Sequence, residues 1–180
     1  MNNKNRIRWI AETAVFIALL ITLQAVTKSM SQFITGSMVN LVLIASTLVS
    51  GFASGLTVAA FPQYFLTVRF VYAGIGPKFI ALVPFVALGN IVLVLVWGMI
   101  CKKGLETKNM ISALVVGAVL KFAVLYGGIV RFAIPTLLAL PEKQAAVMGA
   151  NFSWPQLVTA ALGGFLAMLI TPTLRKALKR

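Results

Sequence analysis

The sequence predicts an all-α membrane protein in which six transmembrane helices form a single domain over residues 1–180. Three observations predict this fold class. The chain is 60% hydrophobic and 11% charged, with a mean hydropathy of +0.98, whereas a soluble domain carries about 25% charged residues. Its apolar runs approach the ~20 residues that a helix needs to cross a bilayer. Its basic residues cluster between those runs, as the positive-inside rule describes for membrane proteins.

The first predicted span covers about residues 9–27 and follows a basic N-terminal segment. Arg8 and Glu12 are four residues apart, so they can pair on one helix face near the interface. The segment also has the basic and apolar regions of a secretory signal peptide. Glu12 interrupts the start of the apolar region, however, and no clear A-x-A cleavage site follows. We therefore expect this segment to be retained as a membrane helix.

The remaining spans follow from breaks in the apolar sequence. The long apolar stretch over residues 37–72 is interrupted near Gly51 and Gly55, which predicts a turn between two spans, and Pro62 should kink the second of them. Pro135 is expected to stop the fifth span and to open a long outer loop that ends at Ser153. These five spans are predicted at about residues 37–51, 54–72, 78–101, 109–134 and 154–174.

The distribution of Lys and Arg decides between six spans and five. With six spans and a cytoplasmic N-terminus, ten basic residues lie inside, and only Lys28, Lys78 and Lys143 lie outside. If residues 37–72 formed one span, five basic residues would lie inside and eight outside. The positive-inside rule therefore favours six spans with both termini in the cytoplasm.

The composition also excludes several classes of function. The chain has no histidine and only three acidic residues, Glu12, Glu106 and Glu142, so we expect no metal site and no catalytic triad, and hence no enzyme. It has no G-x-x-x-x-G-K-[ST] motif for ATP hydrolysis. Cys101 is the single cysteine and cannot form an internal disulfide. The net charge of +13 does not indicate nucleic acid, because the basic residues flank apolar runs.

Cations within the predicted spans are candidates for ligand binding. Lys121 lies near the middle of the fifth span, where a charge costs about 2.5–3.5 kcal/mol and must face protein or water. Arg131 lies ten residues further on, about 80° away in helical projection, so the two side chains can share a cavity. Arg69 lies near the outer end of the third span. These cations indicate either an anionic ligand or, alternatively, snorkelling to lipid phosphate.

Further polar candidates lie in the fourth, fifth and sixth spans. Asn90 is near the middle of the fourth span, where its amide makes either a helix–helix hydrogen bond or a ligand contact. Tyr126, Asn151 and Trp154 are near the outer ends of the fifth and sixth spans, together with Gln156. The aromatic residues could instead belong to an interfacial belt, and the amides could be ordinary helix-end residues.

Small residues four apart predict close helix–helix contacts. Ala14 and Ala18 lie on one face of the first helix, where such a pair allows another helix to approach, either a partner's or one of this chain. For Gly163 and Ala167 we expect tight internal packing.

The chain resembles the substrate-binding S components of energy-coupling factor (ECF) vitamin importers. The resemblance covers nearly all 180 residues. It includes the size, the six spans, the basic termini and the early Ala14-x-x-x-Ala18 motif. It also includes the ordered sequence features at residues 36–40, Gly51/Gly55, Pro62, 74–77 and 84–90.

The resemblance implies a function, partners and site residues. An S component captures a vitamin or related micronutrient outside a bacterial cell membrane and docks on a membrane coupling (T) protein, and two cytosolic ATPases drive the complex. ATP would be bound by those partners only, and this chain would need no cofactor. Ala14 and Ala18 match the docking motif, and Lys121 lies deeper than a usual substrate contact. By position, the substrate site would contain Asn90, Tyr126, Arg131, Asn151, Trp154 and the loop from Lys28 to Gly36.

Two other functions stay open. The chain could be a self-sufficient small-solute transporter or channel that acts as an oligomer. Proton coupling is disfavoured, because the only acidic residue within a predicted span is Glu12, which lies near the cytoplasmic interface. Sodium coupling is not excluded. The chain could also be a membrane enzyme or an assembly factor.

Overall fold

The computed structural model describes residues 3–27, 30–60 and 77–178, and all regular structure within these ranges is helical. A 3-10 turn precedes α4, another follows it, and a π-helix continues α5. The α-helices are α1 (Asn3–Thr27), α2 (Gln32–Ser50), α3 (52–60), α4 (Val83–Ile100), α5 (Thr107–Leu125), α6 (Glu142–Asn151) and α7 (Trp154–Ala177). The 3-10 turns cover Pro77–Leu82 and Cys101–Lys103, and the π-helix covers Tyr126–Leu138.

Five helical segments of the described chain are long and apolar enough to cross a membrane. The all-helical, multi-pass prediction is therefore confirmed at this level. The predicted third span lies mostly outside the described residues, as do Pro62 and Arg69. The five segments are Asn3–Thr27, Gln32–Ser50, Ile80–Ile100, Thr107–Leu138 and Glu142–Ala177.

The two described chain ends meet at one end of the bundle, which we call the charged end. Arg8 Nη2 donates to the carbonyl oxygen of Leu178 at 2.5 Å. The hydroxyl of Thr13 donates to Ser54 Oγ at 2.9 Å and joins α1 to α3. A cavity of about 410 Å³ at this end is lined by the ends of α2, α4 and α7 and by the segment before α5. Basic residues around this end include Lys4, Arg6, Arg8, Lys102, Lys108, Arg175 and Lys176.

The opposite end, which we call the cavity end, contains the reversal between α1 and α2. The Thr35 hydroxyl donates to the carbonyl oxygen of Thr27 at 2.8 Å and stabilises this reversal. Leu82, just before α4, packs here against Leu125 and Ile129. Residue 52 lies at the charged end and Leu82 lies at the cavity end.

Glycine conformations explain two reversals at the charged end. Gly51 has φ +98° and separates α2 from α3, and Gly104 has φ +144° between α4 and α5. Both angles strain any residue with a Cβ. Gly55 is not part of the turn, because it lies within α3, and a Cβ there would collide with the Thr47 hydroxyl.

Two segments differ from the sequence prediction. Pro135 does not end the fifth helix, because the π-helix continues to Leu138. A π-helix pairs residue i with i+5 rather than i+4, so different groups pair around the proline than in an α-helix. The predicted outer loop contains α6, none of whose residues is buried. The sequence of α6 mixes polar and small residues and lacks a long apolar run, so hydropathy does not reveal this helix.

The packing of α2 against α7 fixes the position of Asn40 in the bundle. Gly163 lies so close to α2 that a Cβ on it would be 2.5 Å from Asn40 Cβ and 2.7 Å from the Ser37 carbonyl oxygen. Ala167, one turn further along α7, is fully buried in the main core. The Gly163/Ala167 pair therefore packs internally, as predicted.

Candidate functional site

A cavity of about 180 Å³ lies between α1, α2, α4, α5 and α7 toward the cavity end. Its polar wall consists of one cation, five amide side chains and one threonine, and we call it the amide cavity. Val39, Val86, Leu125 and Phe152 form the apolar part of its wall. The polar residues are Gln24, Gln32, Thr35, Asn40, Asn90, Lys121 and Gln156.

Lys121 is the centre of the polar wall. Its ammonium donates to Asn40 Oδ1 of α2 and to Asn90 Oδ1 of α4, each at 2.5 Å. Lys121 is only 3% exposed and Asn90 only 1% exposed. An ammonium can only donate hydrogen bonds, so each amide must present its oxygen to it. Two helices, α2 and α4, thus supply neutral acceptors to the cation carried by α5.

Small residues bring α4 and α5 close enough for these bonds. A Cβ on Gly89 of α4 would lie 3.0 Å from the Leu125 side chain, and a Cβ on Gly117 of α5 would lie 3.1 Å from Leu93. Because Gly89 precedes Asn90 and Gly117 lies one turn before Lys121, the close approach occurs where the two polar side chains meet.

None of the chain's three carboxylates lines the amide cavity. Glu12 accepts a hydrogen bond from Arg8 at 2.8 Å, and Glu106 pairs with Lys108 at 3.0 Å. Glu142 opens the exposed helix α6. Within the amide cavity, Lys121 is therefore a positive charge that faces amide dipoles and no anionic side chain.

Two amides of the cavity wall have spare hydrogen-bonding capacity. Asn90 Nδ2 is a buried donor, and Gln24 Oε1 is a buried acceptor, and neither has a partner among the described residues. Leaving a buried polar group unpaired costs about 1–3 kcal/mol. A bound molecule that pairs with these groups would recover part of that free energy.

The structure brings together two of the six residues predicted to bind substrate, Asn90 and Lys121. The others are not among the described residues that line the amide cavity. Tyr126 is half-buried and stacks on Phe122, with ring centroids 5.5 Å apart. Arg131 is exposed on the π-helix.

The remaining two predicted residues lie where α6 ends, at Asn151, and where α7 begins, at Trp154. Trp154 is 61% exposed, and its ring lies 5.5 Å from that of Phe33. Asn151 is exposed, but its backbone carbonyl accepts a hydrogen bond from Gln156 Nε2 at 3.0 Å. Asn151 therefore helps to orient a residue of the cavity wall without lining the wall itself.

The prediction did not select Asn40 and Gln24 as site residues. Both are amides inside otherwise apolar helices, which is the same signal that selected Asn90. The predicted loop from Lys28 to Gly36 does contribute, because Gln32, Thr35 and Gly36 line the cavity. Those three residues belong to the first turns of α2 rather than to a loop, and Lys28 lies outside the described residues.

The predicted docking residues lie on the surface. Ala14 and Ala18 are exposed on α1, and only 17% of the apolar window of α1 is buried, compared with 61% for α2. Ala11 and Thr22 are also exposed and extend the narrow stripe of small residues. One face of α1 is therefore open to lipid or to another protein.

No family model, curated protein or solved structure matches this chain. Within the described ranges, no group of three His, Cys, Asp or Glu side chains could hold a metal ion. The features of the chain that bear on function are therefore the amide cavity, the α1 surface and the distribution of charge.

Proposed function

We propose that this chain is the membrane-embedded substrate-binding subunit of an ATP-driven ECF importer in the bacterial cell membrane. It would capture a vitamin or related small micronutrient from outside and deliver it by docking on a coupling protein with two cytosolic ATPases. The amide cavity is the observation that carries this proposal. A buried cation and five amides converge within a bundle of apolar helices, and clustered polar groups of this kind inside a membrane mark substrate sites.

The positions of the charges support an orientation in which the charged end is cytoplasmic. Among the described side chains, seven basic residues lie around the charged end, whereas Arg131 and Lys143 lie toward the cavity end. The positive-inside rule then favours an orientation in which the cavity end, with the amide cavity, faces outward. A substrate would therefore enter from outside the cell.

The surface of α1 supports docking on a partner. Ala14 and Ala18 are exposed, lie four residues apart and have small side chains, so a partner helix could approach the backbone of α1 closely. Among the described residues, no acidic side chain lines the amide cavity, which disfavours coupling of uptake to protons through this site. Energy from separate ATPase subunits fits both observations.

Replacing both Ala14 and Ala18 with Trp tests this proposal. The bulky rings should prevent close helix approach and abolish co-purification of the coupling protein and ATPases, and with it uptake. Substrate binding should persist, because neither residue lines the amide cavity. The measurement is affinity purification in mild detergent, with mass spectrometry of the co-purified proteins. Ala123→Trp is the matched control, since it puts the same side chain on an exposed position of α5.

Unchanged co-purification in the Ala14→Trp/Ala18→Trp variant would contradict the docking proposal. The exposed face of α1 also fits the alternative function, a self-sufficient transporter or channel that works as an oligomer. Solute flux into liposomes that contain this chain alone would favour the alternative. Flux that requires the coupling protein, the ATPases and ATP would favour the importer.

A further inference from the structure

We infer that the amide cavity binds a small organic monocarboxylate, with the carboxylate on Lys121 and Asn90 and a hydrogen-bond donor of the ligand near Gln24. This assignment names the substrate class of the proposed importer, and the biological role of the site rests on that proposal. The binding chemistry itself follows from the cavity and can be measured on this chain alone.

The charge of the ligand follows from the surroundings of Lys121. The ammonium is 3% exposed and its described partners are the oxygens of two neutral amides. All three carboxylates of the chain lie elsewhere. A buried charge without a counter-charge is unfavourable, so an anion is the ligand that improves this site most. One cation matches one negative charge, which favours a carboxylate over a phosphate dianion.

The hydrogen bonds favour a carboxylate among the monoanions. An ammonium has three N–H groups, and Asn40 and Asn90 take two of them. The third is available to one oxygen of a ligand. Asn90 Nδ2, a donor without a described partner, is bonded to the same carbon as the oxygen that Lys121 already holds. Two donors so close together suit the paired oxygens of a carboxylate.

The volume limits the size of the ligand. The amide cavity has about 180 Å³, below the roughly 300–1,000 Å³ of pockets for drug-sized molecules. An engineered cavity of about 150 Å³ binds benzene. A six-membered ring with a carboxylate, or an aliphatic acid of similar size, therefore matches the available space. Val86, Leu125 and Phe152 offer apolar contacts to the body of such a molecule.

The position and free acceptor of Gln24 indicate a second polar group on the ligand. This residue lies three positions before the end of α1 at the cavity end. Asn40 lies eight residues into α2, about 12 Å along its axis. Gln24 is therefore nearer the opening than the Lys121 cluster. Its Oε1 is an acceptor without a described partner, so a hydroxyl or amino group opposite the carboxylate would complete its hydrogen bonding.

Equilibrium dialysis of the purified full-length chain against simple probes tests the assignment. Benzoate and benzamide have nearly the same shape but differ in charge, and hexanoate and hexanamide give the same comparison for an aliphatic body. We expect at least one carboxylate to bind about 10-fold or more tightly than its amide, because hydrogen bonds to charged groups are the stronger ones. 4-Hydroxybenzoate should bind more tightly than benzoate, and inorganic phosphate should not compete.

Asn90→Asp is the decisive variant. It preserves the size of the side chain but puts a carboxylate beside Lys121, so the protein supplies its own counter-charge. The preference for carboxylate over amide should fall to about 1-fold. Asn40→Asp also puts a carboxylate beside Lys121, in this case from α2, and should lower the preference in the same way. Gln144→Glu is the matched control, because it adds a negative charge on the exposed face of α6 and should keep the preference.

Three outcomes would overturn the inference: no saturable carboxylate binding to the wild-type chain, equal binding of carboxylate and amide, or an unchanged preference in both Asp variants. A monodisperse elution profile and an unchanged melting temperature establish that a variant is folded. These outcomes are separable from failure of the proposed function. Carboxylate binding that persists without coupling to ATPases would refute the importer and leave this assignment intact.

Discussion

The contact of Gly163 with α2 gives the sharpest stability prediction. In Gly163→Ala, the new methyl group would lie 2.5 Å from Asn40 Cβ, 2.7 Å from the Ser37 carbonyl oxygen and 2.9 Å from the Leu41 nitrogen. Two of these three atoms belong to the backbone, so no rotamer change can relieve the collision. The helices α2 and α7 must separate.

The magnitude follows from two opposing terms. Overpacking a tight interior costs about 1–3 kcal/mol, whereas replacing Gly by Ala in a helix favours folding by roughly 0.5–1 kcal/mol. We therefore expect a net loss of about 1–2 kcal/mol. For a chain of this size, each kcal/mol lowers the melting temperature by about 2–4 °C. Because the displaced segment carries Asn40, carboxylate binding should weaken as well.

Gly149→Ala is the matched control for this measurement. The nearest atom to a Cβ on Gly149 of α6 is Val130 Cγ1 at 3.8 Å, an ordinary contact, so only the favourable helix term applies. Thermal unfolding of both variants in the same detergent, followed by the loss of monodisperse protein, gives the comparison. A Gly163→Ala variant as stable as Gly149→Ala would refute the argument that backbone contact fixes the position of α2.

Two further predictions concern the surface. Arg131→Ala should change benzoate affinity by no more than about two-fold, because the residue is exposed and surface substitutions are usually within ±0.5 kcal/mol; a 10-fold loss in equilibrium dialysis would put Arg131 in the site. A single cysteine at Gln144 should react with a membrane-impermeant maleimide from the outer side, because α6 lies at the cavity end. A single cysteine at Lys176 should react from the cytoplasmic side, because Lys176 lies at the charged end. The native Cys101 is 8% exposed and should give little background, and labelling of both positions from one side would contradict the orientation.

The sequence was sufficient to predict the helical membrane class, because this class depends on apolar runs and on the spacing of charges. Gly51 was also predictable as a turn, since a break between two apolar segments needs a residue that accepts positive φ. The effect of Pro135 on the fifth helix was not predictable. Whether a proline ends a helix or lies within a π-helix depends on the hydrogen-bond pattern around it, which hydropathy does not reveal.

The kinds of side chain that line the amide cavity were predictable, but only some of the individual residues were. Lys121 and Asn90 were found because a polar group deep in an apolar helix needs a partner. Arg131 was added on the assumption of a 100° step per residue, but the helix becomes a π-helix at Tyr126, which changes the step. Asn40 could be joined to Lys121 only once the packing of α2 against α4 and α7 was known.

The depth of Lys121 has an electrical consequence. Lys121 lies fourteen residues beyond Thr107, about 21 Å along the helix, in a hydrocarbon layer of about 30 Å. An anion that enters from outside and reaches Lys121 has therefore crossed up to about one third of that layer. The membrane potential acts with about 2.3 kcal/mol per charge and 100 mV, so a negative interior opposes this step by up to about 0.7 kcal/mol. Capture of an anionic substrate would thus be weakest in a fully energised cell and would tighten as the membrane depolarises.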